Sequence, residues 1–406
     1  MRACFPRCLA VAIFAVLAGQ QAVAQTTDTS TIIALKAQIE SLTARLDALE
    51  MRSNVRTQTY TSPQSRAPSS TFSAAPTNWA DTLKLNGDFR YRHESFDVDG
   101  QTDRHRHRLR ARTALKAKIS DRVNVGFGLA SGGSAPTSSN QTLGGGGSSK
   151  GINLDLAYVS WQTDFDGLSV TAGKFKNQLF RPGANALIWD GDLRPEGVAL
   201  KYNREALFAN ALAFSLDESS GGEDAILIGA QLGLHTALGN GKLITGVGFY
   251  SVTDAQGRTP FFNGNALGNR VSFNGSYVND FEMLEGFAQY SFMAGKHNVT
   301  LFADYVQNLE ADDFNTGIAF GAKLKQTDWN FGWVYQQLEA DAVLGTLSDS
   351  DFIGGGTDGE GHILTARYKL SKNIGLRGTL FLNDRNIDFG AEEDFKRLML
   401  DISFKY

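Results

Sequence analysis

From Leu83 to Tyr406, apolar and polar residues alternate with a period of two. That period places successive side chains on opposite faces of an extended strand. The first segment shows it plainly. Leu83, Leu85, Phe89 and Tyr91 face one way, while Lys84, Asn86, Asp88, Arg90, Arg92 and Glu94 face the other. About sixteen such segments follow along the chain. They lie near 83–94, 104–119, 123–131, 152–163, 168–177, 196–203, 206–217 and 225–236, then near 242–251, 281–292, 297–308, 315–326, 328–339, 362–370, 374–382 and 395–406. In the fourth, fifth, tenth and eleventh segments the phase is ambiguous, and a bulge would flip it.

The connections alternate in length. Tight ones lie at 120–122, 164–167, 203–205, 238–241, 293–296, 327–328 and 371–373. Long ones lie near 95–103, 131–151, 178–195, 217–224, 252–280, 309–314, 340–361 and 383–394. Eight long and seven short connections suit a sixteen-stranded up-and-down barrel with both termini on the short-turn side. The predicted fold class is therefore all-β, a closed antiparallel transmembrane barrel over 81–406. The end of the chain agrees. Leu398, Leu400, Ile402, Phe404 and Tyr406 share one face of a strand, and Arg397, Asp401, Ser403 and Lys405 share the other. Leu400, Ile402, Phe404 and Tyr406 form the C-terminal signal of a closing strand, the segment the barrel-assembly machinery would meet. A soluble sandwich edge alternates in the same way, so the ending alone does not decide.

Residues 1–24 read as a secretory signal peptide. Arg2 and Arg7 supply the positive start, Leu9 to Leu17 the apolar run, and Ala22-Val23-Ala24 the small-residue cleavage site. Cys4 and Cys8 both lie there, so the mature chain has no thiol for a disulfide or a cysteine metal site. The formal charge of −4 becomes −6 when Arg2 and Arg7 leave, which argues against nucleic acid as a partner. No later segment has the roughly 18 consecutive apolar residues of a membrane helix.

Residues 25–52 carry a short heptad seam. Ile32, Ile39 and Leu46 alternate with Leu35, Leu42 and Leu49 at a 3-4 spacing, which predicts a periplasmic coiled coil and hence self-association. An amphipathic helix docked on its own protein would show the same spacing. Ile before Leu leans toward two strands. Residues 53–80, rich in Ser, Thr, Gln, Ala and Pro, read as a linker.

The second strand holds the strongest chemical signal. Arg104, Arg106, Arg108, Arg110, Arg112, Lys116 and Lys118 share a face, opposite Leu109, Ala111, Leu115, Ala117 and Ile119. A cation facing lipid costs about 2–4 kcal/mol at the bilayer midplane. Three or four would consume much of a net stability of roughly 5–15 kcal/mol. The basic face must therefore look into water. Arg90 and Arg92 continue it on the first strand, and Arg367, Arg377, Arg397 and Lys405 would join from the closing side. A cationic wall would set a pore's field and favour anions. A merely solvated strand face is the bland alternative.

The third long loop runs Gly173-Lys174-Phe175-Lys176-Asn177-Gln178 and then Trp189-Asp190-Gly191-Asp192-Leu193-Arg194-Pro195-Glu196-Gly197. Folded inward, it would bring Asp190, Asp192 and Glu196, with Arg181 and Arg194, to a constriction facing the basic wall. Left outside, its acids would bind divalent cations or lipopolysaccharide.

Those two runs resemble the "putative porin" family of Gram-negative outer membranes. The order of signal peptide, coiled coil, linker and barrel resembles it too, over essentially the whole mature chain. Gln178 departs from the proline expected after the Lys-Asn pair. The resemblance implies a passive, trimeric pore in the outer membrane, surrounded by lipid and lipopolysaccharide, with no cofactor. It names no solute.

Other signals are weak. His105-x-His107 puts two imidazoles on one strand face without a third ligand, so no metal site is assigned. The chain has no Gly-x-Ser-x-Gly elbow and no His-Glu-x-x-His. His93, His235, His297 and His362 keep no catalytic company, so an enzyme is not expected. Trp161, Trp329, Trp333, Tyr335 and Tyr368 suit an interface belt. The expected function is passive diffusion of small hydrophilic solutes and ions with anions favoured. The alternatives are a tether between outer membrane and cell wall, and a solute-specific anion channel.

Overall fold

The computed structural model describes residues 82–406. The signal peptide, heptad seam and linker expected within 1–81 lie outside the described residues.

The chain forms strands β1 (Leu83–Val98), β2 (Arg104–Lys118), β3 (Val123–Ser131), β4 (Gln141–Thr142), β5 (Ile152–Gln162), β6 (Leu168–Lys174), β7 (Glu196–Arg204), β8 (Leu207–Asp217) and β9 (Ala225–Leu238). The series continues with β10 (Gly241–Val252), β11 (Phe281–Ala294), β12 (His297–Asn308), β13 (Thr316–Lys325), β14 (Trp329–Leu338), β15 (Gly359–Lys369), β16 (Ile374–Arg385) and β17 (Glu393–Lys405). Every paired neighbour is antiparallel, and β17 pairs with β1 to close the ring. The two-residue β4 lies beside β2 within the 132–151 connection, and β3 pairs directly with β5. The wall therefore has the expected sixteen staves. Short and long connections fall at alternate ends, as the spacing predicts.

The alternation resolves into an outward apolar face and an inward mixed one. On β9, Ile226, Ile228, Leu232 and Leu234 are exposed outside, while Ala225, Leu227 and Gln231 are buried inside. On β17, Leu398, Leu400 and Phe404 are exposed outside, and Arg397, Met399 and Asp401 are buried inside. The outer face forms the apolar band that lipid requires. Trp161, Trp329 and Trp333 stand on it, and Trp329 packs on Tyr368 with ring centroids 4.7 Å apart. The phase ambiguity of β5 has a concrete cause. The register against β3 slips between Gly128 and Leu129, so Asp155 is an extra residue. Ile152 and Leu154 face out before this bulge, and Val159 and Trp161 face out after it.

The core sits inside the barrel. Two long connections, L3 (residues 175–195) and L7 (residues 339–358), turn inward. Their Leu187, Ile188, Trp189, Leu344, Leu347 and Phe352 pack on inward side chains of β7 to β14, including Tyr250, Met283, Val306 and Leu338. One side of the lumen is thus filled with apolar side chains, and the charged side is left lined by β1, β2 and β12 to β16.

Leu232→Arg places a cation on the outer band at mid-strand. It should lower the stability of the vesicle-refolded barrel by about 2–4 kcal/mol, measured by denaturant unfolding, while Leu232→Phe should have little effect.

Candidate functional site: the barrel lumen

L3 crosses the lumen because its backbone finds partners on the far wall. Gln231 of β9 clamps Phe180, accepting from its N–H at 2.8 Å and donating to its carbonyl at 2.9 Å. Gln289 of β11 accepts from Gly183 N–H at 2.7 Å. Gly183 lies over Phe302 with φ 58°, where a Cβ would meet the ring at 2.2 Å. Only glycine fits both that backbone and that approach. Asn185 then donates to Asp304 at 2.8 Å, and Trp189 packs edge-on against Tyr250 at 4.9 Å.

L7 meets L3 from the other side. Asp190 N–H donates to the Leu347 carbonyl at 2.8 Å, and Ser350 N–H donates to the Asp190 carboxylate at 2.9 Å. Asn269, from the 253–280 connection, holds L7 by donating to the Ala340 and Val343 carbonyls, both at 2.7 Å.

Arginines of β1 and β2 are paired rather than bare. Arg92 donates to both oxygens of Asp401, at 2.6 and 3.1 Å. Arg397 donates to Glu94 at 2.8 Å and to Asp351 at 2.9 Å. Glu94 also takes Arg106 and, at 3.6 Å, Arg108. Arg110 and Arg112 share Asp88, at 2.8 and 2.9 Å, and share Asp192 of L3, at 3.3 and 2.9 Å. Arg90 donates to Asn140 at 2.6 Å and lies 3.9 Å from Asp401. Of the loop carboxylates expected to face the wall, Asp192 touches it directly.

The remaining expected residues spread out. Arg104 is exposed beside Phe96. Lys116 is exposed and Lys118 pairs with Asp121, both near the short-turn end. Arg181 donates to the Trp189 carbonyl at 2.8 Å, inside L3 itself. Arg194 reaches the bulge residue Asp155 at 3.4 Å. Glu196 bonds Lys174 across β6 and β7 and makes no ion pair with the wall. His105 and His107 gather with His93 on the outer face, yet no group among the described residues has metal-binding geometry.

A cavity of about 610 Å³ remains between wall and loops. Arg90, Arg92 and Arg110 line it, with Asp190 and Asp192 from L3 and Asp349 and Asp351 from L7. Lys323, Lys325, Arg367 and Arg377 line its other side. L7 is a second inward loop that the spacing of strands does not predict. Its signal was the run Ala342-Val343-Leu344 with Leu347, Phe352 and Ile353, too apolar for a loop in water.

The loop acids diverge. Burial, and then the charge of Asp349, push Asp190 up to about 7 from 3.8. Burial, and then Asp351, push Asp349 up to about 6. Burial opposes the charge of Asp351 as well, but Arg397 and Arg92 outweigh it and hold that carboxyl well below the usual range. Arg110 and Arg112 do the same for Asp192.

The profile of the putative porin family matches residues 96–272 and 310–406. The chain belongs to that family. Among solved structures, the high-pH form of Pseudomonas putida OprB superposes with a TM-score of 0.57 at 13% identity, over 80% of this chain and 95% of that one. Salmonella typhi OmpF, solved with daunomycin, gives 0.51 at 11% identity, over 81% of this chain and 99% of that one. Identities this low carry the fold alone. A search of curated protein sequences finds no match.

Two outcomes follow for this member of the family. Asp401→Ala leaves the buried Arg92 without its bidentate partner and should cost about 3–5 kcal/mol in denaturant unfolding. Asp190 and Asp349 titrate higher in the docked loops than in an open chain. Their contribution to docking is therefore full below about pH 4 and is lost as pH rises through about 6 and about 7. In a variant keeping Trp189 as its only tryptophan, acrylamide quenching should rise from pH 5 to pH 8. Adding D190N and D349N should flatten that response.

Proposed function

We propose that the barrel is an outer-membrane porin, a passive channel for small hydrophilic solutes and ions that favours anions. The observation that carries this reading is the charge on the cavity wall. Eight cations line it: Arg90, Arg92, Arg110 and Arg181, with Lys323, Lys325, Arg367 and Arg377. Four carboxylates line it as well, with Asp190 and Asp349 raised toward neutrality. Asp401 and Asp88 hold Arg92 and Arg110, so Lys323, Lys325, Arg367 and Arg377 carry the charge without an acid partner. A cleft with excess positive charge and low-dielectric walls concentrates anions. Membership of the putative porin family supports a channel, and the sixteen-stave fold with its outward apolar band supports a place in lipid. Passage by diffusion requires neither a reacting group nor a cofactor. We further propose that copies associate as a homotrimer, with lipid and lipopolysaccharide around the free outer face.

Single-channel recording of the refolded chain in a planar bilayer tests this. Unitary steps should appear, and a KCl gradient should give a reversal potential on the chloride side. Asp192→Asn leaves Arg110 and Arg112 sharing Asp88 alone and should move the reversal further that way. Arg110→Gln with Arg112→Gln should move it toward potassium. A folded barrel without steps would overturn the pore. Steps with potassium preference would keep the pore and overturn the anion preference.

A further inference from the structure

The lumen has two kinds of cation. Those of β1, β2 and β17 are held by carboxylates, as described above. Lys323 and Lys325 of β13, Arg367 of β15 and Arg377 of β16 are not, and the strand register shows why. Arg367 on β15 is the direct cross-strand partner of Arg377 on β16. Arg377 in turn faces Asp401 on β17. Asp401, however, gives both its oxygens to Arg92 on the opposite neighbour. Among the described residues neither Arg367 nor Arg377 forms an ion pair, although both line the cavity. Arg367 makes no hydrogen bond there, and Arg377 makes one, from Nε to Thr379 Oγ1 at 3.0 Å.

Directly opposed residues of antiparallel strands hold their Cα atoms about 4.5–5.5 Å apart. Two guanidinium groups so placed repel unless a counter-charge sits between them. The same register row continues to Asn330 on β14, which faces Arg367, and to Lys325 on β13, which faces Asn330. All four side chains line the one cavity. The row therefore offers two forks of N–H donors, an amide and an ammonium on one wall, and the carboxylate at its end, Asp401, is already taken by Arg92.

We propose that Arg367 and Arg377, flanked by Asn330 and Lys325, form a binding site for a small doubly charged oxyanion in transit. The inference rests on the lumen reading above and deepens it. A guanidinium fork pairs with two oxygens of one anion, which a spherical halide cannot offer. Two adjacent forks match an anion with two charges spread over several oxygens. Such an anion would be held briefly by the site, whereas chloride would pass with only the general field to guide it.

Sulfate is the probe, because it stays doubly charged across the working pH. In planar bilayers carrying KCl, added sulfate should reduce the unitary chloride current with a half-blocking concentration on the order of millimolar. R367Q/R377Q should raise that concentration about tenfold while unitary steps persist. R367K/R377K should keep the reversal potential but weaken the block, since charge remains and the forks are gone. Lys116→Gln, outside this cavity, should change neither. Unblocked current in the native chain, or equal block in R367Q/R377Q, would overturn the site and leave the pore standing. If no steps appear at all, the pore reading fails. Calorimetric titration of sulfate into the detergent-refolded barrel then decides the site by itself: heat lost in R367Q/R377Q supports it, and no heat in the native protein overturns it.

Discussion

Everything in this fold depends on the closure of the sheet. In hydrocarbon each unpaired backbone N–H or C=O is costly, so a strand sheet survives there only without edges. The pairing of β17 with β1 removes the last edge. It also fixes the pleat phase around the whole ring, which decides for every residue whether it meets lipid or lumen. The seam is reinforced from inside. Arg92 reaches across it to Asp401, and Arg397 reaches back to Glu94. Asp351 of L7 bonds both arginines, so the plug loop and the seam share one network.

The same network explains the electrostatic division of the lumen. A buried charge is tolerated when a partner with good geometry replaces its water. Glu94, Asp351 and Asp401 meet that condition through guanidinium groups, and they consume the positive charge of the β1 and β2 wall. Arg367 and Arg377 stand in the same ring of staves without such partners. A basic face read from a strand therefore overstates the free charge near the seam and understates it two strands away.

The opposite half of the lumen is governed by apolar burial. L3 and L7 carry enough large hydrophobic side chains to dock on β7 to β14, as Trp189 does on Tyr250 and Phe352 does among its buried neighbours. Burying such a side chain is worth roughly 1.5–3 kcal/mol. Several together hold two long loops inside the barrel with no thiol in the described residues. The glycine at 183 lets the loop backbone press against Phe302, where any Cβ would collide.

The sequence by itself determined the staves, their alternation of faces and the alternation of short and long connections. All three are local properties: a period of two, turn residues, and the cost of a cation in lipid. It also placed Arg90, Arg92 and Arg106 to Arg112 on the water side. Which charges meet is settled by the folded barrel instead. Asp401 lies more than three hundred positions from Arg92, and Asp351 comes from a loop whose inward turn depends on the wall built by β7 to β14. Charge pairing falls off steeply with distance and burial, so the net field of the lumen could not be summed along the chain. It is fixed by strand register and by two loops that fold into the space the strands enclose.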